Sequence, residues 1–331
     1  MVTIGALVPL TAPGWTQAGR HLLAGLELGV RDANSADSSL ELIVRDTAAN
    51  PDRAVAAVDE LAGQHVAALV GEYHSVVARA VASRASDLGL PFLCSSAVLD
   101  ALTDEPTDWV ARLSPPQSRG WRAYADFLLA AGHHRVAVVA QASPYWAAGI
   151  QIVRDRLSSQ GGTILEVSAD NVCDDIAQTD ATVLLLLTGH PEPALSIVDS
   201  VRRDPRTAEI LIGAPAGQPE FAEWATPLRA DIPFLRYLPE TLTPLGDRVT
   251  AALRELLPEP PSFVALEGYD AIRVLAEYLR TDRRWADISI DGTRGHINFT
   301  RTSSLWQWTD APIQIAARSA TALNTFDALH P

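Results

Sequence analysis

The run Thr182-Val-Leu-Leu-Leu-Leu187 decides the fold class of this 331-residue chain. Consecutive apolar residues between polar neighbours indicate a strand that is covered on both faces, which is typical of parallel sheets. A predicted helix, Ala194–Arg203, and a further predicted strand, Ile210–Gly213, follow it. Strands that alternate in this way with helices of about 10 to 15 residues indicate βαβ units.

The chain contains two successive sets of this alternation. The first begins with a predicted strand, Thr3–Pro9, and helix, Gln17–Ala33; the second begins with a predicted helix, Gly120–Ala131, and strand, Arg135–Ala140. Two sets predict two doubly wound α/β lobes with largely parallel sheets. Near the end, three short stretches predict antiparallel strands: Gly295–Phe299, Leu305–Trp308 and Ile313–Ala316.

Composition argues against several functions. The chain has 26 Lys+Arg against 40 Asp+Glu, a formal net charge of −14, and every one of the 26 basic residues is arginine. Without lysine there is no Schiff-base lysine, no P-loop lysine and no kinase lysine. The acidic balance argues against the basic surface that nucleic acids require, so no nucleic-acid partner is expected.

Neither a membrane segment nor a leader peptide is expected. No apolar run approaches the roughly 18 residues of a membrane span, and Met1 leads directly into a strand-like sequence. A cytoplasmic location is therefore expected for the chain as written. An exported or cell-surface location is the alternative if a leader has been trimmed. Cys94 and Cys173 match neither a metal nor a redox spacing, so both are expected to be small buried residues.

An ordered series of motifs carries a family resemblance along nearly the whole chain. The motifs are Ile4–Leu10, Ala24–Asn34, Asp46…Asn50-Pro51, Val70-Gly71…Ser75, Pro91–Ala97, Pro144–Gly149, Gly268–Ala271 and Gly292–Phe299. In this order the sequence resembles type I periplasmic ligand-binding proteins of the branched-chain amino acid receptor and amide-sensor group, which includes substrate-binding proteins of ABC transporters. The Gly71-x-Tyr73-x-Ser75 loop is similar to that of the cytoplasmic amide-sensing regulator of amidase expression.

The resemblance implies two lobes joined by a three-stranded hinge, with the ligand held between them. On this template lobe 1 comprises residues 1–118 plus 241–292, and lobe 2 comprises residues 119–240 plus 293–331. Ligands of open α/β sheets bind beyond the carboxyl ends of the strands. The loops that follow predicted strands are therefore the candidate binding loops.

Thirteen candidate ligand-binding residues lie in these loops. They are Trp15, Tyr73, His74, Ser75, Ser95, Ser96, Ala97 and Val98 in lobe 1, and Tyr145, Trp146, Gly189, His190 and Ala216 in lobe 2. The resemblance implies that the Ser75 and Ser96–Val98 positions recognise a carboxylate and an ammonium, and that Tyr145 covers the ligand from lobe 2.

Structural roles are open for several of these residues. Ser75 could cap the helix that starts at Val76, and Ser95 and Ser96 could satisfy their own loop. Trp146 could pack beneath its loop.

Two positions depart from the amino acid receptors. The position that carries a hydroxyl there is Val98, and the acid that binds the ammonium corresponds to Ala216, unless a shift of a few residues places Glu220 in that role. A buried ammonium without a paired charge is costly, so free α-amino acids are unexpected ligands. We expect a small, mostly neutral organic ligand that is an amide, amino-acid-like or aromatic.

The sequence thus predicts a non-catalytic protein that closes two lobes around a small molecule. It would be an importer-type solute receptor with an ABC permease as partner, or a cytoplasmic ligand sensor with a regulatory protein as partner. No cofactor or metal is expected, because the sequence lacks zinc and dinucleotide motifs. The sequence also lacks the nucleophile elbow of many hydrolases. The alternative to a binding protein is a hydrolase-like enzyme that uses the cleft.

Overall fold

The computed structural model describes residues 1–36, 39–281 and 284–330. In these residues the strands are β1 Val2–Val8, β2 Leu40–Asp46, β3 Ala68–Gly71, β4 Phe92–Cys94, β5 Val110–Arg112, β6 Arg135–Ala140, β7 Thr163–Glu166, β8 Val183–Leu187, β9 Leu211–Gly213, β10 Phe234–Arg236, β11 Ser289–Asp291, β12 His296–Asn298, β13 Thr300–Arg301, β14 Trp306–Gln307, β15 Gln314–Arg318 and β16 Phe326–Leu329. The α-helices are α1 Thr16–Ser35, α2 Pro51–Gly63, α3 Ser75–Leu88, α4 Gln117–Ala130, α5 Pro144–Ser158, α6 Val172–Ala177, α7 Ala194–Arg203, α8 Pro244–Leu256 and α9 Phe263–Arg280.

The chain divides into two compact units. Unit 1 comprises Met1–Pro116 and Tyr237–Pro312, and unit 2 comprises Gln117–Arg236 and Ile313–Pro331. The chain therefore passes from one unit to the other three times, and the third passage follows Pro312.

The sequence-based position of that third passage, after residue 292, is wrong. Residues 293–312 belong to unit 1 because β14 pairs in parallel with β5 and so extends the unit 1 sheet. Arg294 also forms ion pairs with Glu267 and Asp270 of α9 in the same unit. The short strands at the chain end are mostly antiparallel, as predicted, but the parallel pairing of β14 was not expected.

Unit 1 is built on a seven-stranded sheet with the order β13-β14-β5-β4-β3-β1-β2. Strands β1 to β5 are parallel, and β3, β4 and β5 are buried along their whole length. Helices α2 and α3 form one core with Leu7, Leu69 and Phe92 of the sheet. Helices α1 and α9 pack so closely that a Cβ atom at Gly25 would lie 1.9 Å from the carbonyl oxygen of Ala265.

Unit 2 is built on a four-stranded parallel sheet with the order β7-β6-β8-β9. Every residue of β8 is buried, which confirms the prediction from its apolar run. A second, antiparallel sheet has the order β10-β15-β16, and its residues Phe234 and Ala316 join the same core as Leu184 and Leu186.

Both cysteines of the chain are free thiols. Cys94 is buried and Cys173 is half-buried, and neither forms a disulfide. Burial raises the pKa of the Cys94 thiol to about 12.

In the described part of the chain, none of the helices has the length and apolar character needed to span a bilayer.

Candidate ligand-binding residues

The carboxyl ends of β1, β3 and β4 lie side by side. We call this side of the sheet, where the parallel strands end, its carboxyl edge. The loops and the helix start that follow these strands contain all eight predicted residues of lobe 1. Gly71 allows the close approach of β3 to β1, because a Cβ atom there would lie 2.1 Å from the carbonyl oxygen of Leu7. Its φ of +123° also favours glycine.

Glu72 holds the loop after β3 in shape and is not among the residues predicted from the sequence. Its buried carboxylate accepts hydrogen bonds from the N–H groups of Tyr73 (2.7 Å) and His74 (2.9 Å) and from the hydroxyl of Thr47 (2.6 Å). These charge-assisted bonds offset the cost of burying a carboxylate. Its place inside the motif that ends at Ser75 is the signal that could have found it.

His74 is engaged by neighbouring loop residues. Its Nε2 accepts a hydrogen bond from the N–H of Trp15 (3.4 Å), so Nδ1 carries the hydrogen and faces Glu72 Oε1 at 3.3 Å. The ring of Trp15 meets that of Tyr73 edge to face, with centroids 5.3 Å apart. Because both His74 ring nitrogens have these partners, His74 and Ser75 do not form a catalytic pair here.

Ser75 connects two loops. It is the first residue of α3 with His74 at the N-cap position, so the alternative in which Ser75 caps this helix is wrong. Its Oγ accepts a hydrogen bond from the N–H of Leu99 at 3.4 Å. The hydroxyl therefore lies where the loops after β3 and β4 meet.

Three serines lie together beyond β4 and β5. Ser96 Oγ donates to Ser95 Oγ (3.2 Å), and Ser114 Oγ donates to the Ser95 carbonyl (2.6 Å). All three residues are buried. The sequence-based set omitted Ser114, which could have been found because it follows the next strand of the sheet.

Ala97 and Val98 are buried in the same loop and present an apolar surface. Arg112 supports this loop, since its Nη1 donates to the carbonyl oxygens of Val98 (3.2 Å) and Leu99 (2.6 Å). Burial lowers the pKa of Arg112.

A buried charge cluster contacts these serines. Arg294 Nη1 lies 3.0 Å from Glu267 Oε1 and Arg294 Nε lies 3.2 Å from Asp270 Oδ2, and all three side chains are 0% exposed. Ser114 Oγ lies 3.2 Å from Glu267 Oε1. Burial raises the pKa of Glu267 to about 7, and the Arg294 charge opposes that rise. The prediction of a mostly neutral pocket did not include these ionisable groups.

In unit 2, Tyr145 and Trp146 lie in the first turn of α5. Ser143 caps this helix by accepting a hydrogen bond from the N–H of Trp146 at 3.1 Å. Trp146 is buried against Trp121, with ring centroids 6.2 Å apart, and so packs beneath its loop. Tyr145 is half-buried, and burial raises the pKa of its hydroxyl.

His190 belongs to a hydrogen-bonded network in unit 2. Its Nδ1 accepts from Trp224 Nε1 (3.0 Å), and its Nε2 donates to the carboxylate of Glu223 (2.5 Å). The neighbouring Gly189 donates its N–H to Gln141 Oε1 at 2.6 Å. These bonds favour structural roles for both predicted residues. Among residues 1–36, 39–281 and 284–330, no group of three or more His, Cys, Asp or Glu could hold a metal ion.

Ala216 and Glu220 were the two candidates for the position of the ammonium-binding acid. Ala216 is half-buried and has only a methyl side chain. Glu220 is buried, and its Oε2 accepts a hydrogen bond from Arg236 Nε at 2.8 Å. The structure thus commits the Glu220 carboxylate to an ion pair within unit 2.

Two α/β units with parallel sheets, joined by three passages of the chain, define the type I periplasmic-binding-protein fold. The periplasmic binding protein family matches residues 1–283, and the chain belongs to that family. Among curated proteins, none matches this sequence.

Solved structures share this fold at low sequence identity. The branched-chain amino acid transporter substrate-binding protein LivJ from Streptococcus pneumoniae, in complex with isoleucine, is 18% identical, with 100% of both chains covered and a TM-score of 0.85. The leucine-binding protein LivK from Thermotoga maritima is 17% identical, with 100% of this chain and 98% of that chain covered and a TM-score of 0.81. A solute-binding protein of an ABC transporter from R. palustris, in complex with benzoate, is 17% identical, with 99% and 95% covered and a TM-score of 0.83.

Proposed function

We propose that this protein binds a small organic solute and releases it unchanged. The observation that carries the proposal is the gathering of buried serine hydroxyls at the carboxyl edge of the unit 1 sheet, in a chain of the periplasmic binding protein family. That edge is where open α/β sheets bind ligands.

In unit 1 the ligand would contact the hydroxyls of Ser75 and Ser96. Trp15 and Tyr73 would supply aromatic walls, and Val98 an apolar one. Such a mixture of apolar walls and a few polar groups is typical of small-molecule sites.

Tyr145, which is half-buried in unit 2, stays a predicted ligand contact. We infer structural roles for His74, Trp146, Gly189 and His190, since each has partners within its own unit.

The ligand we propose is small and mostly neutral: an amide, an amino-acid-like compound or an aromatic one. Structures with this fold hold isoleucine or benzoate. A free α-amino acid is disfavoured, because unit 2 has Ala216 at the position of the acid and the Glu220 carboxylate is paired with Arg236.

The role we favour is that of a solute receptor for an ABC importer, with a permease as partner. A cytoplasmic sensor that acts on a regulatory protein is the other outcome, and the cytoplasmic location stays a prediction. Cell fractionation tests the location, and co-purification with a permease or with a regulator tests the partner.

Isothermal titration calorimetry with branched-chain amino acids, their amides and benzoates tests binding. We expect micromolar or tighter binding of at least one compound, recovered unchanged, and about tenfold weaker binding for Ser75→Ala and for Ser96→Ala. Ser39→Ala is the matched control, because Ser39 is exposed in the same unit. Small-angle scattering with that compound tests the predicted closure, which would reduce the radius of gyration. Chemical conversion of the bound compound, or no binding across the panel, would refute the proposal.

A further inference from the structure

Two buried glutamines of unit 2 share an arrangement that the proposed contacts do not use. Gln117 is 1% exposed and Gln218 is 4% exposed. Gln117 Nε2 donates to the carbonyl oxygen of Tyr145 (3.0 Å), and Gln218 Nε2 donates to that of Thr188 (2.9 Å). Because a carbonyl oxygen only accepts, each amide nitrogen must face its carbonyl and each Oε1 is directed elsewhere.

The remaining oxygens have no hydrogen-bond partner. Gln117 Oε1 and Gln218 Oε1 are both buried without one, and so is the Oγ1 of Thr188, a residue that is 1% exposed. Buried polar atoms in native proteins nearly always have a partner. The two glutamine oxygens can only accept, so together they indicate a ligand group that would supply the missing hydrogen-bond donors.

The topology places these three residues at one edge of the unit 2 sheet. Thr188 directly follows β8, and Gln218 belongs to the segment after β9, its neighbour in the sheet. Gln117 reaches the start of α5, which follows β6 on the other side of β8. A bond from the Gly189 N–H to Gln141 Oε1 ties the loops after β6 and β8 together. This is the carboxyl edge, where parallel sheets bind ligands.

The charged side chains near this edge are engaged by protein groups, and Arg318 Nη2 donates to the carbonyl oxygens of residues 219–221. Glu220 is paired with Arg236, and Glu223 is hydrogen-bonded to His190. The two unpartnered glutamine oxygens can only accept hydrogen bonds, and a ligand carboxylate has no hydrogen to donate to them.

We propose that Gln117 and Gln218 are specificity-determining residues whose side-chain oxygens accept hydrogen bonds from an uncharged N–H₂ group, with the Thr188 hydroxyl as a further contact that can donate or accept. They select a primary carboxamide over the carboxylate of the same carbon skeleton. This inference rests on the proposed function and names the ligand class of the same protein.

Matched ligand pairs test the inference by calorimetry: benzamide with benzoate, and 3-methylbutanamide with 3-methylbutanoate. We expect the wild-type protein to bind one of these amides at least about tenfold more tightly than its acid. Thr188→Val removes the hydroxyl with little change in shape, while Gln117→Met and Gln218→Met remove the carboxamide. Each glutamine variant should weaken amide binding about fivefold to tenfold and leave binding of the acid within about twofold, and Thr188→Val should weaken amide binding as well.

The ratio of amide to acid affinity is the deciding measurement, since a merely structural defect would weaken both ligands. Gln160→Met is the control, because Gln160 is an exposed glutamine of the same unit. If one glutamine variant does not fold, the ratios measured for the other glutamine variant and for the wild-type protein decide.

Three results would overturn the inference. An unchanged ratio in the variants, or tighter binding of the acids by the wild-type protein, overturns it and leaves the proposed function standing. Binding of neither amide overturns it as well, and the proposed function also fails if the wild-type protein binds none of the compounds in the larger panel.

Discussion

The carboxyl edges of the two parallel sheets differ in how their buried polar groups are satisfied. In unit 1, Glu72 and Glu267 are buried acids whose partners include backbone N–H groups, hydroxyls and Arg294, although Glu267 Oε2 has no partner. In unit 2, Gln117 and Gln218 are neutral and keep oxygens without partners. Buried charges that have many partners stabilise the loops around them, whereas unpartnered neutral groups can select a ligand.

Removal of Arg294 should show this difference most strongly. Arg294→Met leaves two carboxylates, Glu267 and Asp270, buried without their cation. We expect the free energy of unfolding, measured by urea denaturation, to fall by about 3–5 kcal/mol. Arg254→Met, which changes an exposed arginine of unit 1, should cost less than about 0.5 kcal/mol. A loss below about 1 kcal/mol for Arg294→Met would contradict the structural role assigned to unit 1.

The pH dependence of stability gives a second, smaller effect in unit 1. Because the pKa of Glu267 is raised from 4.5 to about 7 in the folded protein, the folded state holds this proton more tightly than the unfolded state. Its contribution therefore favours folding at low pH and is lost as the pH rises from about 4.5 to 7.

Glu267→Gln, which resembles the protonated acid, isolates this effect. The free energy of unfolding of the variant, relative to that of wild type, should increase by roughly 2–3 kcal/mol as the pH rises from 5 to 8. Urea denaturation at several pH values measures the difference. Gln218→Met in unit 2 should show no such pH trend. If the difference in unfolding free energy between Glu267→Gln and wild type is the same at every pH, the raised pKa is contradicted.

The smallest effects compare one hydroxyl from each unit. Ser114→Ala removes a hydroxyl that donates to the Ser95 carbonyl, so we expect a loss of about 1 kcal/mol. Thr188→Val removes a buried hydroxyl without a partner, so stability should stay the same or rise by up to about 1 kcal/mol. Thermal or urea unfolding of the two variants measures both changes. Equal losses would show that the two edges do not differ in this way.

The sequence predicted the βαβ units well, because buried parallel strands such as β8 are continuous apolar runs, whereas the apolar residues of helices recur with a helical period. The third passage between the units was misplaced because short strands look alike whichever sheet they join. The pairing of Trp306 and Gln307 with Ala111 and Arg112, far earlier in the chain, assigns β14 to unit 1.

Candidate residues were predictable where they lie within a few residues of a strand end, as Ser75, Ser95 and Ser96 do. Residues that reach these edges from helices, such as Glu267 in α9 and Gln117 in α4, were missed. Their role depends on partners distant in the sequence, and neither periodicity nor spacing records such partners.

The close contact of α1 with α9 has a consequence for synthesis of the chain. Residues 16–35 are made long before their packing partner, residues 263–280, because the 117–236 segment of unit 2 lies between them in the chain. Unit 2 in turn lacks its central antiparallel strand until β15 at Gln314–Arg318 is made. Unit 1 therefore cannot complete its native structure until residues 263–280 are made, and unit 2 cannot do so until β15 is made.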